Sequence, residues 1–130
     1  MILQIELNGI KFTHDIDKSL IEIDTSINRV TTDYQFVILC ASIQDYVKYK
    51  NIRYFVLIKK NNDFELSCDY HKYRQTILIE DLLRKGIEQI FYMVSANKIK
   101  RYRKELPAYV RVVSGYEEID ALIKNQPDKI

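Results

Sequence analysis

Cysteine, glycine and proline are all scarce in this chain of 130 residues, with two, three and two of them respectively. Two cysteines, Cys40 and Cys68, cannot form the disulfide framework that replaces a large core in small secreted domains, and they fall short of a four-ligand zinc set. Both are expected as free thiols, with Cys40 in the core because it falls inside an apolar helical pattern. No low-complexity tract, Ser/Gly-rich linker or internal repeat marks a second domain. Long hydrophobic runs are missing too: no stretch approaches the roughly 20 uncharged apolar residues that cross a bilayer. The opening MILQIELNG carries Glu6 where a signal peptide has basic residues, so a cytoplasmic location is the expectation.

What is present is material for one ordinary core, since 47% of the residues are hydrophobic and the length suits a single domain. That domain is expected over residues 1–124, with the polar NQPDKI of 125–130 as a frayed tail. Net charge is +2 but unevenly spread. Residues 1–47 hold three Lys/Arg against seven Asp/Glu, and residues 48–130 hold seventeen against eleven.

Periodicity alternates between strand and helix. MILQIELNGIKF and SLIEIDTSI alternate with period two and give an opening pair of antiparallel strands, with Asn8-Gly9 as turn chemistry. Thr32 to Gln35 is a capping box ahead of a helix with Phe36, Cys40, Ile43 and Val47 on one face. RYFVLI is a nearly continuous apolar run, which suits a central strand buried on both sides. TILIEDLLRKG is a helix ending at Gly86, and IEQIFYMVSA is a second buried strand. NKIKRYRKEL is a short helix broken by Pro107, and AYVRVV is a further strand. Ser114 to Glu117 is a second capping box before YEEIDALIK, whose Tyr116, Ile119 and Ile123 recur at helical spacing. The expected order is ββαβαβαβα: an α/β domain with a mixed, mostly parallel sheet and an N-terminal antiparallel hairpin.

This order, with RYFVLI, IFYMVSANK and YVRVVSGYEEIDALI at their spacing, resembles the STAS and SpoIIAA-like proteins over about the last hundred residues. In that family a later strand carries a short helix, and the last strand leads into a terminal helix that begins near an acidic pair. The resemblance implies a module that binds a protein partner or an apolar small ligand and does not turn over a substrate. It also implies a phosphoacceptor serine in the loop after the third strand, where the family motif is Asp-Ser-Ser-Gly-Leu. Here the loop reads NNDFELSCDY. Ser67 is the hydroxyl it offers, but no Asp precedes it and no Gly follows.

Three stretches suggest other chemistry. FELSCDYHKY sets Cys68 and His71 three residues apart at a helix start, a spacing that permits a thiol and its base to meet, yet Glu65 and Asp69 make the surroundings negative. Asp69 as a helix cap explains the stretch more simply. Nuclease folds with acidic residues on a central hairpin need an Asp and a Glu-x-Lys to hold a hard cation and stabilise developing charge, and no Glu-x-Lys or Asp-x-Lys occurs in the chain. In KIKRYRKE, Lys98, Lys100, Arg101, Arg103 and Lys104 surround Tyr102, five cations and an aromatic that could neutralise phosphates and stack a base. A solvated surface helix has the same composition.

The helix after FELSC carries two stripes. Leu78, Ile79, Leu82 and Leu83 form the one expected on the sheet, while Tyr70, Tyr73 and Ile77 lie nearly opposite. The second stripe is the candidate surface for a ligand, a partner or a second copy. The expectation is therefore a binding module without catalysis, metal or cofactor. The alternative is a nucleic-acid-associated, nuclease-derived protein that uses residues 98–104.

Overall fold

The hairpin that opens the chain turns on Asn8 and Gly9, whose φ angles of 55° and 79° are the positive pair of a type I′ turn. Asparagine and glycine are the residues that reach this region at least cost. The turn splits the first alternating stretch into β1 (Ile2–Leu7) and β2 (Ile10–Asp15), paired antiparallel from Ile2 opposite Asp15 to Leu7 opposite Ile10. β3 (Leu20–Asp24) then pairs antiparallel with β2. Three strands precede the first helix, so the expected opening pair is corrected to a meander. The computed structural model describes residues 1–28, 32–48, 50–59 and 69–124, without the side chains of Asp33 and of 69–72. The expected tail, 125–130, lies outside them.

From β3 onward the chain repeats helix and parallel strand: α1 (Asp33–Val47), β4 (Tyr54–Lys59), α2 (Asp69–Arg84), β5 (Gln89–Val94), α3 (Ile99–Glu105), β6 (Val110–Val113) and α4 (Tyr116–Lys124), with one 3-10 turn at Ala96–Lys98. The order is thus βββαβαβαβα in a single α/β domain with one mixed, six-stranded sheet, its strands side by side in chain order. β3 to β6 are parallel. Right-handed crossovers that always step in one direction deliver their helices to one face. Accordingly α1, α2 and α3 share a core with Ile10, Phe12, Ile21, Ile23, Phe55, Leu57, Ile90 and Tyr92. α4 follows the last strand and covers the other face, where Ile119 packs with Leu20, Tyr54, Val56, Ile58, Phe91, Met93 and Val113.

Local chemistry explains the helix ends. At α1, Gln35 N–H donates to Thr32 Oγ1 at 3.2 Å and Thr32 N–H donates to Gln35 Oε1 at 3.1 Å, the capping box read from the sequence. α2 ends with Gly86 at φ 100°, and Gly86 N–H and Ile87 N–H bond back to the carbonyls of Leu83 and Leu82. This Schellman arrangement satisfies carbonyls that the helix leaves open. The second expected box is corrected in one residue. α4 begins at Tyr116, so its third position is Glu118, and this carboxylate, not that of Glu117, accepts from Ser114 N–H and Oγ–H. Those bonds hold the Glu118 carboxyl below its ordinary range.

The two large helices are fastened by one polar knot. Asp81 of α2 accepts from Gln44 Nε2 of α1 at 3.1 Å and from Lys85 Nζ at 2.7 Å, while Lys85 also donates to the Gln44 carbonyl. Burial pushes the Asp81 carboxyl up, but the bonds and charges of Lys85, Gln44 and Arg84 outweigh it and leave it below its usual range. Among the described residues no helix is long and apolar enough to cross a membrane.

Candidate functional site

In open parallel sheets ligands bind beyond the carboxyl ends of the strands. Here β4 ends in Lys59, which is 5% exposed. Its ammonium donates to the Tyr102 hydroxyl at 2.9 Å and lies 5.3 Å from the centre of that ring. Tyr102 projects inward from α3 and is 2% exposed. On the same sheet face sits the fully buried Tyr92, whose phenol is pushed far up by burial, with Cys40 and Tyr102 adding to the shift. Cys40 in turn has its thiol pushed up to about 12 by burial, with the Arg74 charge pulling weakly the other way. A thiol in that state is protonated at neutral pH and is no nucleophile. Two buried side-chain atoms of α2, Arg74 Nε and Gln75 Oε1, have no hydrogen-bond partner among the described residues.

Lys59 escaped the sequence reading because a lysine closing an apolar strand passes for the first solvated residue. The available signal was parity: Phe55, Leu57 and Lys59 share a face, and the first two are core. Tyr102 requires a correction. Set among five cations it read as an aromatic open to a nucleic-acid base, and its burial against Lys59 removes it from that role. The cations around it diverge. Lys100, Arg101, Arg103 and Lys104 are exposed and Lys98 is half-buried. Arg101 pairs with Glu105 at 3.2 Å, and Arg103 turns to β6 to donate to the Val112 carbonyl at 3.2 Å.

On α2 the inner stripe is as read, with Leu78, Ile79 and Leu82 buried and Leu83 half-buried. Of the outer stripe, Tyr73 is 63% exposed. Ile77 is half-buried. Tyr70 lies in the first turn of the helix, with its side chain outside the described residues, as is that of His71. Ser67 and Cys68 lie outside them altogether.

A second exposed surface was not read from the sequence. Among the described residues α4 does not cover the β1–β3 side of its sheet face, and there Ile2, Gln4, Lys11, Thr13, Glu22, Asp24, Ile27 and Tyr116 line a shallow concavity of 470 Å³. Tyr116 was expected on the packing stripe of α4. It is instead exposed, and its hydroxyl donates to the Glu22 carboxylate of β3. Burial, then that bond, raises its phenol above the ordinary value. Ile119, with Leu122 and Ile123, does the packing. Asn28 closes the margin of this surface, accepting from Lys11 N–H and donating to the Lys11 and Asp24 carbonyls, and so extends the β3 side of the ladder by one side chain.

Among the described residues no group of three or more His, Cys, Asp or Glu is placed to hold a metal ion. No family model matches the chain, and no curated protein or solved structure matches it significantly.

Proposed function

We propose that this chain is a STAS/SpoIIAA-like module that acts by binding, with the outer face of α2 as its working surface and a protein as its partner. The observation that carries the reading is the exposure of Tyr73, 63%, on a helix whose buried side is already filled by Leu78, Ile79 and Leu82. Tyr73 is therefore not part of the core that the buried side of α2 fills. Tyrosine offers a large amphipathic contact area for little lost entropy, and aromatic side chains are enriched where interfaces bind most strongly. The element order after β3, the short turn that follows β5 and the acidic pair Glu117 and Glu118 in the first turn of α4 are in keeping with the family resemblance.

The test is the double variant Tyr73→Ala with Ile77→Ala, examined by native mass spectrometry for what the purified chain carries and by thermal denaturation. Loss of a bound protein by more than ~1 kcal/mol, with a much smaller change in stability, is the expected result. Retention of an apolar small molecule that the double variant loses would keep the surface and change the partner. A fall in stability of several kcal/mol with binding unchanged would make these residues core, since truncations in a core cost about 2–5 kcal/mol.

A further inference from the structure

We propose that two copies of this chain join through their β1 edges, antiparallel about a two-fold axis at Gln4, to form one continuous twelve-stranded sheet from two six-stranded ones. The inference stands on β1 alone and is independent of the role given to α2.

β1 is the terminal strand of the sheet and, among the described residues, pairs only with β2. The direction of its backbone groups follows from the turn. In a type I′ turn the first and fourth residues, Leu7 and Ile10, are hydrogen-bonded to each other, and bonded and non-bonded pairs then alternate along an antiparallel ladder. Leu3, Ile5 and Leu7 therefore direct their backbone groups to β2, and Ile2, Gln4 and Glu6 direct theirs outward. Natural edge strands are guarded against pairing by proline, lysine, a bulge or short length. β1 has none of the four: it runs six residues, ILQIEL, in unbroken one-to-one register with β2. Its one charge, Glu6, already lies opposite Lys11.

The side chains ask for a neighbour as well. Leu3, Ile5 and Leu7 face the helix layer but are only half-buried, and Ile2 on the other face is 62% exposed.

A second copy supplies the missing neighbour in one register. Residues directly opposite must lie on the same face, so the axis passes through a residue. An axis at Glu6 sets two carboxylates against each other, and one at Ile5 carries Ile2 past the end of the facing strand to the turn. With the axis at Gln4, Ile2 faces Glu6 of the other copy and Gln4 faces its equivalent. All the outward backbone groups of β1 then find partners, and no like charges are opposed. On the helix side Leu3 meets Ile5 of the other copy in the close, non-hydrogen-bonded positions, where cross-strand apolar pairs contribute most. A strand that completes its own copy in backbone, charge and apolar face fits the isologous contact of a two-fold dimer, the commonest oligomer.

The experiment is sedimentation of the full chain and of variants at Gln4. Gln4→Pro removes an N–H that β2 does not use, and proline is tolerated at such edge positions. Gln4→Lys opposes two ammonium groups on the axis without touching the backbone. Wild type should be a dimer at about 100 µM, with both variants weakening it at least about tenfold at unchanged secondary structure. If Gln4→Pro does not fold, Gln4→Lys decides. In a Cys68→Ser background, Gln4→Cys should give a disulfide-linked dimer on mild oxidation, since hydrogen-bonded partners about 5.5 Å apart at Cα suit that bond. A monomeric wild type, or a dimer that persists in Gln4→Lys, or one lost only on changing Tyr73 and Ile77, would overturn the proposal.

Discussion

Lys59, the last residue of the central strand β4, and Tyr102, the middle of the cationic helix α3, form a single buried contact in which the ammonium donates to the phenol oxygen at 2.9 Å. The contact fastens α3 to the carboxyl end of the sheet. It also separates the inner and outer sides of a helix whose composition alone suggested a nucleic-acid surface.

Tyr102→Phe keeps the ring and its packing and withdraws one acceptor from a buried charge. The expected cost is about 1–3 kcal/mol of unfolding free energy in a urea titration. The double variant Lys100→Glu with Lys104→Glu, on the exposed side of the same helix, should stay within about 0.5 kcal/mol of wild type. Equal effects from both would mean that the buried contact contributes nothing of its own.

The contrast shows what the sequence could and could not convey. RYFVLI was legible as a central strand because a run of apolar side chains long enough for both faces has few other uses, and every residue from Tyr54 to Lys59 is buried. The core stripes of α1 and α2 were legible for the same reason. The number of opening strands was not, although the turn leaves a trace: Leu7 and Ile10, three residues apart, face the same way, so the inward positions switch from odd in β1 to even in β2, a phase change that reading one strand through Asn8-Gly9 passes over. Tyr102 was hidden by its neighbours' charges, although Ile99, Tyr102 and Leu106, at three- and four-residue steps, are the inward stripe. Of the candidate stripe on α2, spacing alone separated Tyr73 from the core. The bare sheet face and the open β1 edge follow from strand order, which no local pattern encodes.

His14 gives the chain a pH-dependent stability. Burial first, then the charge of Lys50, lowers its pKa below the ordinary 6.5, with Asp15 opposing. Its Nδ1 is hydrogen-bonded to the Tyr46 hydroxyl at 2.7 Å. The unfolded chain takes up this proton first as pH falls, so stability present above the ordinary value is lost as pH drops through it towards the folded one. Wild type should therefore lose more stability than His14→Gln between about pH 7.5 and about pH 5, as judged by urea midpoints. Parallel curves for the two proteins would assign the pH dependence elsewhere.

Gly86 and Gly115 separate backbone conformation from packing. A Cβ built at either position meets nothing within 4 Å, so neither glycine is required for space. Gly86, however, holds φ at 100° in the C-terminal cap of α2, a region that side chains with a Cβ rarely enter, whereas Gly115 has no positive φ. Gly86→Ala must either strain that residue or release the two backbone bonds that Gly86 and Ile87 return to α2, at an expected cost of about 1–3 kcal/mol. Gly115→Ala meets no positive-φ strain, and the gain from a narrower unfolded ensemble is set against alanine's weaker preference for the N-cap, so it should stay within about 0.5 kcal/mol of wild type. Thermal melts of the two variants therefore ought to move in different directions or by clearly different amounts. If both fell together, the loss would have to come from something common to them, such as an unseen neighbour at each site, and the assignment of the Gly86 cost to its backbone conformation would be wrong.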